Sequence, residues 1–492
     1  MRDYKRYIIL QQLDILRGLK NNKRKHKLKK RKSRVVSKEN TTTPRAPRHF
    51  RRTNIHLVTN PNHLLSKNWT NIKDGLIGKH MPTNLKYLLS EPESPFYLKK
   101  IKKEKFNSAG KITMPSEFSI LDNADESYDI LKKIISALLI EDTARITLDY
   151  KNCKKIELSS QILLDIILRD FWIFRTICKN TDRNKRDFFP SGFGGINIDD
   201  SDIQKLLFSV GSASILKVRE IEFEDIIPYK LCVHDNEQEK NYLKKTEQKE
   251  IDTTEMADYV IACLKRMNKK LTKEKLNDLC TVIGEILINA EEHSTTKYRF
   301  SIGYFKEENQ NGKHYGLFRL VILNFGKTIY QKFKSDDCPN KDIVDRMKEL
   351  SEKYTNKKWF FQSKFEEENL WTLYALQEGV TSIPYDKYKR GNGSIRFIES
   401  FFNIKGSKEL DDTSRLSIIS GKTRILFDGK YNIDTKVNQN KDTFKVMTFN
   451  ESGEIEDKPD NKYVYCTNNY FPGTCISARI LLNDDDIKQL NN

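Results

Sequence analysis

Apolar residues recur at helical spacing over residues 125–140 (DESYDILKKIISALLI) and 157–174 (ELSSQILLDIILRDFWIF). Between them ARITLDY reads as a strand, and KITMPSEFSIL precedes the first helix. Strand, helix, strand, helix predicts an α/β layout over residues 110–235. Residues 236–253 are charged and carry no apolar period worth burying, so they predict a linker. Beyond it the pattern predicts helices over 254–268 and 273–293, then strands in KYRFSIGYF and LFRLVILNF. Farther on come a helix in FEEENLWTLYALQEGVTS, a hairpin in RLSIISGKTRILF and a closing strand in FPGTCISARILL. The fold class predicted is mixed, α/β with α+β character.

The helix over 273–293 carries two stripes. Ile283, Ile286, Leu287 and Ala290 form its apolar face. Glu285, Asn289 and His293 recur four residues apart, which sets them one above another on a single polar edge. A solvated helix face does not need so narrow an alignment, and a ligand-binding edge does. Downstream stand Asn324 and Gly326 at a strand end, Gly391 and Gly393 before a helix, and Thr474 after Pro472 and Gly473.

The order E-x-x-x-N-A-x-x-H, two strands ending in a glycine turn, a long insertion, a Gly-x-Gly turn and a final Gly-Thr strand resembles the GHKL ATPases. That resemblance implies a Bergerat-type two-layer α/β sandwich over residues 254–485 that binds ATP and Mg²⁺. It places Asn289 at the Mg²⁺, to which an amide carbonyl gives one oxygen. It makes Glu285 the base that takes a proton at the γ-phosphate. His293 would extend the edge toward the phosphates, or be a buried or capping histidine. Asn324 stands where the family has an Asp that accepts from the adenine amino group; an Asn carbonyl can accept too, without charge assistance. Thr328 replaces the family's second glycine after Gly326. Residues 330–388 fill the place of the nucleotide lid. Gly391 and Gly393, with Lys389 and Arg390 beside them, match the second glycine box, whose helix end suits phosphate. Thr474 would lie near the adenine.

Residues 110–235 resemble the STAS family in layout. LDYKNCKKIELSSQILL puts Asp149 after a strand and Ser159 and Ser160 at a helix start, although the family's glycine is missing. Those serines cap a helix or receive a phosphate from a partner kinase. A STAS-like module also implies a protein partner.

Composition adds a tail to this picture. The 492 residues suffice for two or three cores, and 37% hydrophobic residues exclude a wholly disordered chain. Residues 1–60 hold 19 Lys and Arg against Asp3, Asp14 and Glu39; the remaining 68 basic and 65 acidic residues nearly cancel. The net charge of +19 therefore belongs to a basic N-terminal arm, which either binds nucleic acid or an anionic surface or is simply solvated. The eight cysteines show no C-x-x-C pair. No run reaches the ~18 apolar residues of a transmembrane span and no secretory signal is seen, so a cytoplasmic protein is expected.

Three functions compete on this reading: an ATP-dependent switch with slow hydrolysis, a serine kinase of the anti-sigma-factor-kinase type acting on a STAS-like partner or domain, and a non-enzymatic nucleic-acid-binding scaffold with a degenerate nucleotide fold. A homodimer remains open.

Overall fold

The computed structural model describes residues 81–101, 110–139, 145–181, 192–215, 221–235, 242–292, 294–296, 298–310, 313–355, 365–382, 393–405, 413–437 and 443–483. The basic arm, His293, Lys389, Arg390 and Gly391 lie outside the described residues. All described residues fall in one unit, Asn60–Asn492. Among them no helix is long and apolar enough to cross a membrane.

After helix α1 (Thr83–Ser90), strands β1 (Lys111–Thr113) and β2 (Glu117–Phe118) lead to α2 (Ala124–Leu139). Then follow β3 (Arg145–Asp149), β4 (Lys155–Ile156), α3 (Leu158–Thr181), β5 (Gly192–Ile196), α4 (Ser201–Ser209) and α5 (Ser212–Ile215). β1, β3 and β5 form a parallel sheet in that order, which agrees with the α/β layout. Crossover helices make such a sheet parallel, because each strand must return to the same edge before pairing.

The second half opens with β6 (Ile226–Asp235), α6 (Tyr242–Arg266), α7 (Lys273–Glu292), β7 (Tyr298–Gln310) and β8 (Lys313–Phe325). Next are α8 (Ile329–Lys334), α9 (Lys341–Thr355), α10 (Glu367–Ala375), α11 (Gly393–Lys405) and β9 (Arg415–Phe427). A small hairpin of β10 (Asp434–Val437) and β11 (Thr443–Val446) precedes the closing strand β12 (Val464–Asn483). The main sheet is antiparallel, in the order β6-β7-β8-β12-β9.

Alternation along the strands sorts this sheet into two faces. Phe318, Leu320, Ile322, Ile476, Ala478 and Ile480 join α6, α7, α10 and α11 in one core. Phe300, Ile302, Tyr304, Val321, Leu323 and Cys475 join the first half of the chain in the other. The far face of the main sheet is thus covered by α2 and α3, which pack on β12 and, for α3, on β7 and β8 as well. Helix, sheet, helix, sheet is the resulting layering, where a two-layer module beside a separate small domain was expected.

Three element predictions are corrected. RLSIISGKTRILF is one continuous strand, not a hairpin. Its Gly421 has φ +62 but does not reverse the chain; a β-carbon there would overlap the Glu368 carboxylate of α10, which accepts from Lys422 N at 2.7 Å. The stretch expected to be a linker is helical from Tyr242 onward, because Asp252 within it is buried against His234 and Arg299. β6, assigned by sequence to the first module, pairs with β7 and belongs to the main sheet.

Of the expected lid, residues 365–382 are built into the core. Leu370, Trp371, Leu373 and Tyr374 are buried there, and Trp371 Nε1 donates to Ser351 Oγ of α9 at 2.9 Å.

Candidate functional site

The apolar stripe of α7 behaves as its spacing requires: Ile283, Ile286 and Leu287 are buried in the core it shares with the main sheet. Glu285 and Asn289 are half-buried beside it. One Glu285 carboxylate oxygen, Oε2, is enclosed without a hydrogen-bond partner among the described residues. A carboxylate oxygen left in that state is costly, so the position calls for a donor that a ligand or solvent would bring.

The loop after α7 is tied to the end of β8. Ser294 Oγ donates to the Phe325 carbonyl at 3.1 Å, Thr295 N donates to the same oxygen at 3.0 Å, and Lys327 N donates to Thr295 Oγ1 at 3.1 Å. The C-terminal end of the Glu285 and Asn289 helix is therefore held against the Asn324-Phe325-Gly326 turn. Gly326 has φ +154 and donates to the Pro472 carbonyl at 3.2 Å, joining that turn to the start of the Gly-Thr segment. Gly473 (φ +148) leaves room for the Asn324 carbonyl, which any β-carbon would overlap. Thr328, where the GHKL resemblance would lead one to expect a glycine, is the N-cap of α8: its hydroxyl accepts from Gln331 N and the Gln331 side chain accepts from Thr328 N. The departure from the glycine pattern is thus a helix start.

Strand pairing brings a row of polar residues together across the whole sheet, on the face that α6 and α7 cover. His234 of β6 pairs with Arg299 of β7, Arg299 with Asn324 of β8, Asn324 with Thr474 of β12, and Thr474 with Ser420 of β9. Arg299 and Asn324 are each 1% exposed. At the β9 end the hydroxyls of Ser420 and Thr474 are 3.0 Å apart, and Ser420 Oγ accepts from Ile329 N at 2.9 Å. In the middle, Asn324 Nδ2 is buried and has no hydrogen-bond partner among the described residues.

At the β6 end the row is roofed by charge. Asp252 of α6 bonds Arg299, stands 3.1 Å from His234 Nδ1 and accepts from Gln248 Nε2 at 2.7 Å. Burial alone would raise the Asp252 carboxyl, but the His234 hydrogen bond and the Arg299 charge outweigh it and hold the group below the usual carboxylate range. Glu291, at the end of α7, sits 3.5 Å from His234 Nε2 and 3.3 Å from Lys249 Nζ. Arg299 Nη1 has no hydrogen-bond partner among the described residues, and His234 Nε2 and Glu291 Oε2 face each other at 3.5 Å without a formed hydrogen bond.

Asn324, Gly326 and Thr474 of the sequence-derived site are thus brought together, and Glu285 and Asn289 lie on the helix tied to them. Gly393 begins α11, which packs on α7. His234, Asp252, Glu291, Arg299 and Ser420 were missed. Ser420 interrupts an apolar strand, which was a visible signal; Asp252 lay in a stretch whose charge looked like a solvated linker. In the first half, Ser159 and Ser160 are fully buried: Ser159 Oγ donates to the Glu157 carboxylate and Ser160 Oγ accepts from Ile120 N at 2.6 Å. No protein-family model, no curated protein and no solved structure matches the chain.

Proposed function

We propose that the main sheet and its helix layer form an ATP-binding module of GHKL type that acts as a nucleotide-dependent switch and hydrolyses ATP slowly. The observation carrying this reading is the tie, through Ser294 and Thr295, of the Glu285 and Asn289 helix to the Asn324 turn, with Glu285 Oε2 and Asn324 Nδ2 both buried without a hydrogen-bond partner among the described residues. Enclosed polar atoms without partners are rare in native proteins and are expected where a ligand completes the bonding.

In this reading Asn324, with Thr474 beside it, meets the adenine edge, and an amide serves there because it can both donate and accept. Asn289 would hold Mg²⁺ through its carbonyl oxygen, and the ion would supply charge neutralisation at the phosphates. Gly391 and Gly393 would offer backbone amides to the phosphates. Glu285 would accept the proton of the attacking water.

The competing reading, transfer to a serine, needs the same two residues. Transfer to the chain's own Ser159 or Ser160 is opposed by their complete burial, so a kinase would require another acceptor. The deciding experiment measures ATP affinity and turnover for the wild type, Glu285→Ala and Asn289→Ala, with mass spectrometry for phosphoserine. Expected are a loss of turnover of about 100-fold or more with affinity retained for Glu285→Ala, and lost Mg²⁺-dependent binding for Asn289→Ala. Unchanged turnover in Glu285→Ala refutes the assigned base, and phosphoserine accumulation would establish the kinase instead.

A further inference from the structure

The opposite face of the main sheet carries a second transverse row. Arg479 of β12 pairs with Arg319 of β8 on one side and with Arg415 of β9 on the other. Cross-strand neighbours have β-carbons about 5 Å apart, and like charges so placed repel. Arg424, 6% exposed, adds a fourth guanidinium from the same strand as Arg415. The row faces the seam between the main sheet and the first half of the chain, where Arg319 donates to the Ile156 carbonyl at 3.5 Å and Arg424 donates to the Leu121 carbonyl.

The acids in this seam are too few. Among the described residues Asp122 serves Arg415, Arg424 (3.5 Å) and, with Glu117, Lys155 (3.5 Å). Glu117 pairs with Lys155 at 2.5 Å, and Glu157, bonded to Ser159 and to Ser477 at 3.3 Å, contributes its charge to Arg415 and Arg479, so three carboxylates face four guanidinium groups and Lys155. The Nε atoms of Arg319, Arg424 and Arg479 are all buried without hydrogen-bond partners among the described residues. Arg319 lies over the Tyr304 ring at 5.7 Å and Arg424 over the Tyr465 ring at 5.5 Å. Stacking of this kind holds a guanidinium by its face and leaves its in-plane N–H edge for an anion. Burial, then repulsion from Arg319 and Arg415, lowers the Arg479 pKa against the opposing pull of Glu157 and Asp122, whereas Arg415, bonded to Asp122, has its pKa raised.

We propose that the Arg319–Arg479–Arg415 row, with Arg424, is a binding site for a small phosphorylated ligand, seated at the seam between the two halves and on the sheet face opposite the candidate nucleotide site. Guanidinium forks match the oxygen spacing of a phosphate, and a group of two negative charges would offset the cation excess that the nearby acids leave. The site also joins residues of the second half to the Asp122 and Ile156 loops of the first, so its occupancy would tighten that seam. It is independent of the nucleotide reading.

The test titrates pyrophosphate into the full chain in magnesium-free buffer, with inorganic phosphate beside it to separate a diphosphate from a single-phosphate ligand. Calorimetry and thermal melting are read for the wild type, Arg479→Gln, Arg319→Gln and Asn289→Ala. The expected result is saturable binding that survives Asn289→Ala and weakens roughly tenfold or more in both arginine variants, as for a lost charge-assisted bond. The melting temperature of ligand-free Arg479→Gln should not fall, since a repulsive neighbour has been removed. The proposal is overturned if neither anion binds saturably, if an arginine variant that melts cooperatively binds like the wild type, or if Asn289→Ala abolishes binding.

Discussion

The two faces of the main sheet handle buried charge in opposite ways. On the helix face Arg299 is enclosed but answered by Asp252, and His234 lies between Asp252 and Glu291. On the other face Arg319, Arg479 and Arg415 are neighbours, and the single carboxylate of Asp122 is divided among several cations. The first arrangement is close to neutral and leaves individual polar atoms unsatisfied; the second is cationic as a whole. A nearly neutral enclosure suits a ligand recognised by hydrogen bonds to a base edge, and a cation-rich one suits a ligand recognised by its charge.

The contrast can be broken most directly by removing one arginine from each face. Arg299→Gln leaves Asp252 buried without its cation and should lower unfolding free energy by about 3–5 kcal/mol, measured by denaturant titration. Arg479→Gln should be neutral or slightly stabilising in the same assay. Equal losses from the two would erase the distinction. Because the Asp252 pKa is depressed in the folded state, its contribution is present above the ordinary carboxylate pKa and is lost as pH falls through the lower folded value. The stability difference between wild type and Arg299→Gln should therefore shrink in strong acid.

A second effect should come from the junction of β8 and β12. Gly473→Ala would drive a β-carbon into the Asn324 carbonyl at φ +148, costing about 2 kcal/mol and, on the proposed reading of the site, weakening ATP binding with it. Smaller still, Asn324→Asp would place a carboxylate beside Arg299 and restore a charged acceptor for the adenine amine. ATP affinity should rise about five- to tenfold, read by calorimetry, and a decrease would mean that the amide's donor is what the base requires.

A change set by pH lies away from both rows, in α3. Asp165 is buried, and burial raises its carboxyl to about 7 in spite of hydrogen bonds from Ser212 Oγ and Gln161 Nε2. The folded state thus binds the extra proton, so the group's contribution is fully present below the unfolded pKa and is lost as pH rises through about 7. Asp165→Asn should stabilise increasingly as pH rises, from near nothing at about pH 3 to about 4 kcal/mol at about pH 8, measured by thermal melting across that range.

Much of the local structure was legible because it depends on neighbours in sequence. The α7 period placed Ile283, Ile286 and Leu287 inward, and the glycine turn after Asn324 ended β8 as expected. Errors arose where long-range contacts override local character. Gly421 looks like a turn residue, yet the strand runs on through it, paired with Phe471 of β12 between two register shifts. The charged residues before 254 look solvated, yet Asp252 is folded beneath the sheet end by its ion pair with Arg299, 47 residues away.

By itself the sequence determined the strongly periodic elements, among them α2, α3, α7, β7 and β8, and the polar edge of Glu285 and Asn289, since each follows from periodicity within a few residues. Only the tertiary structure decided that His234, Arg299, Asn324, Thr474 and Ser420 form one row and that Arg319, Arg479 and Arg415 form another on the reverse face. Register between strands far apart in the chain sets those rows, and register is chosen by how two cores pack on a shared sheet, a property that no single segment contains.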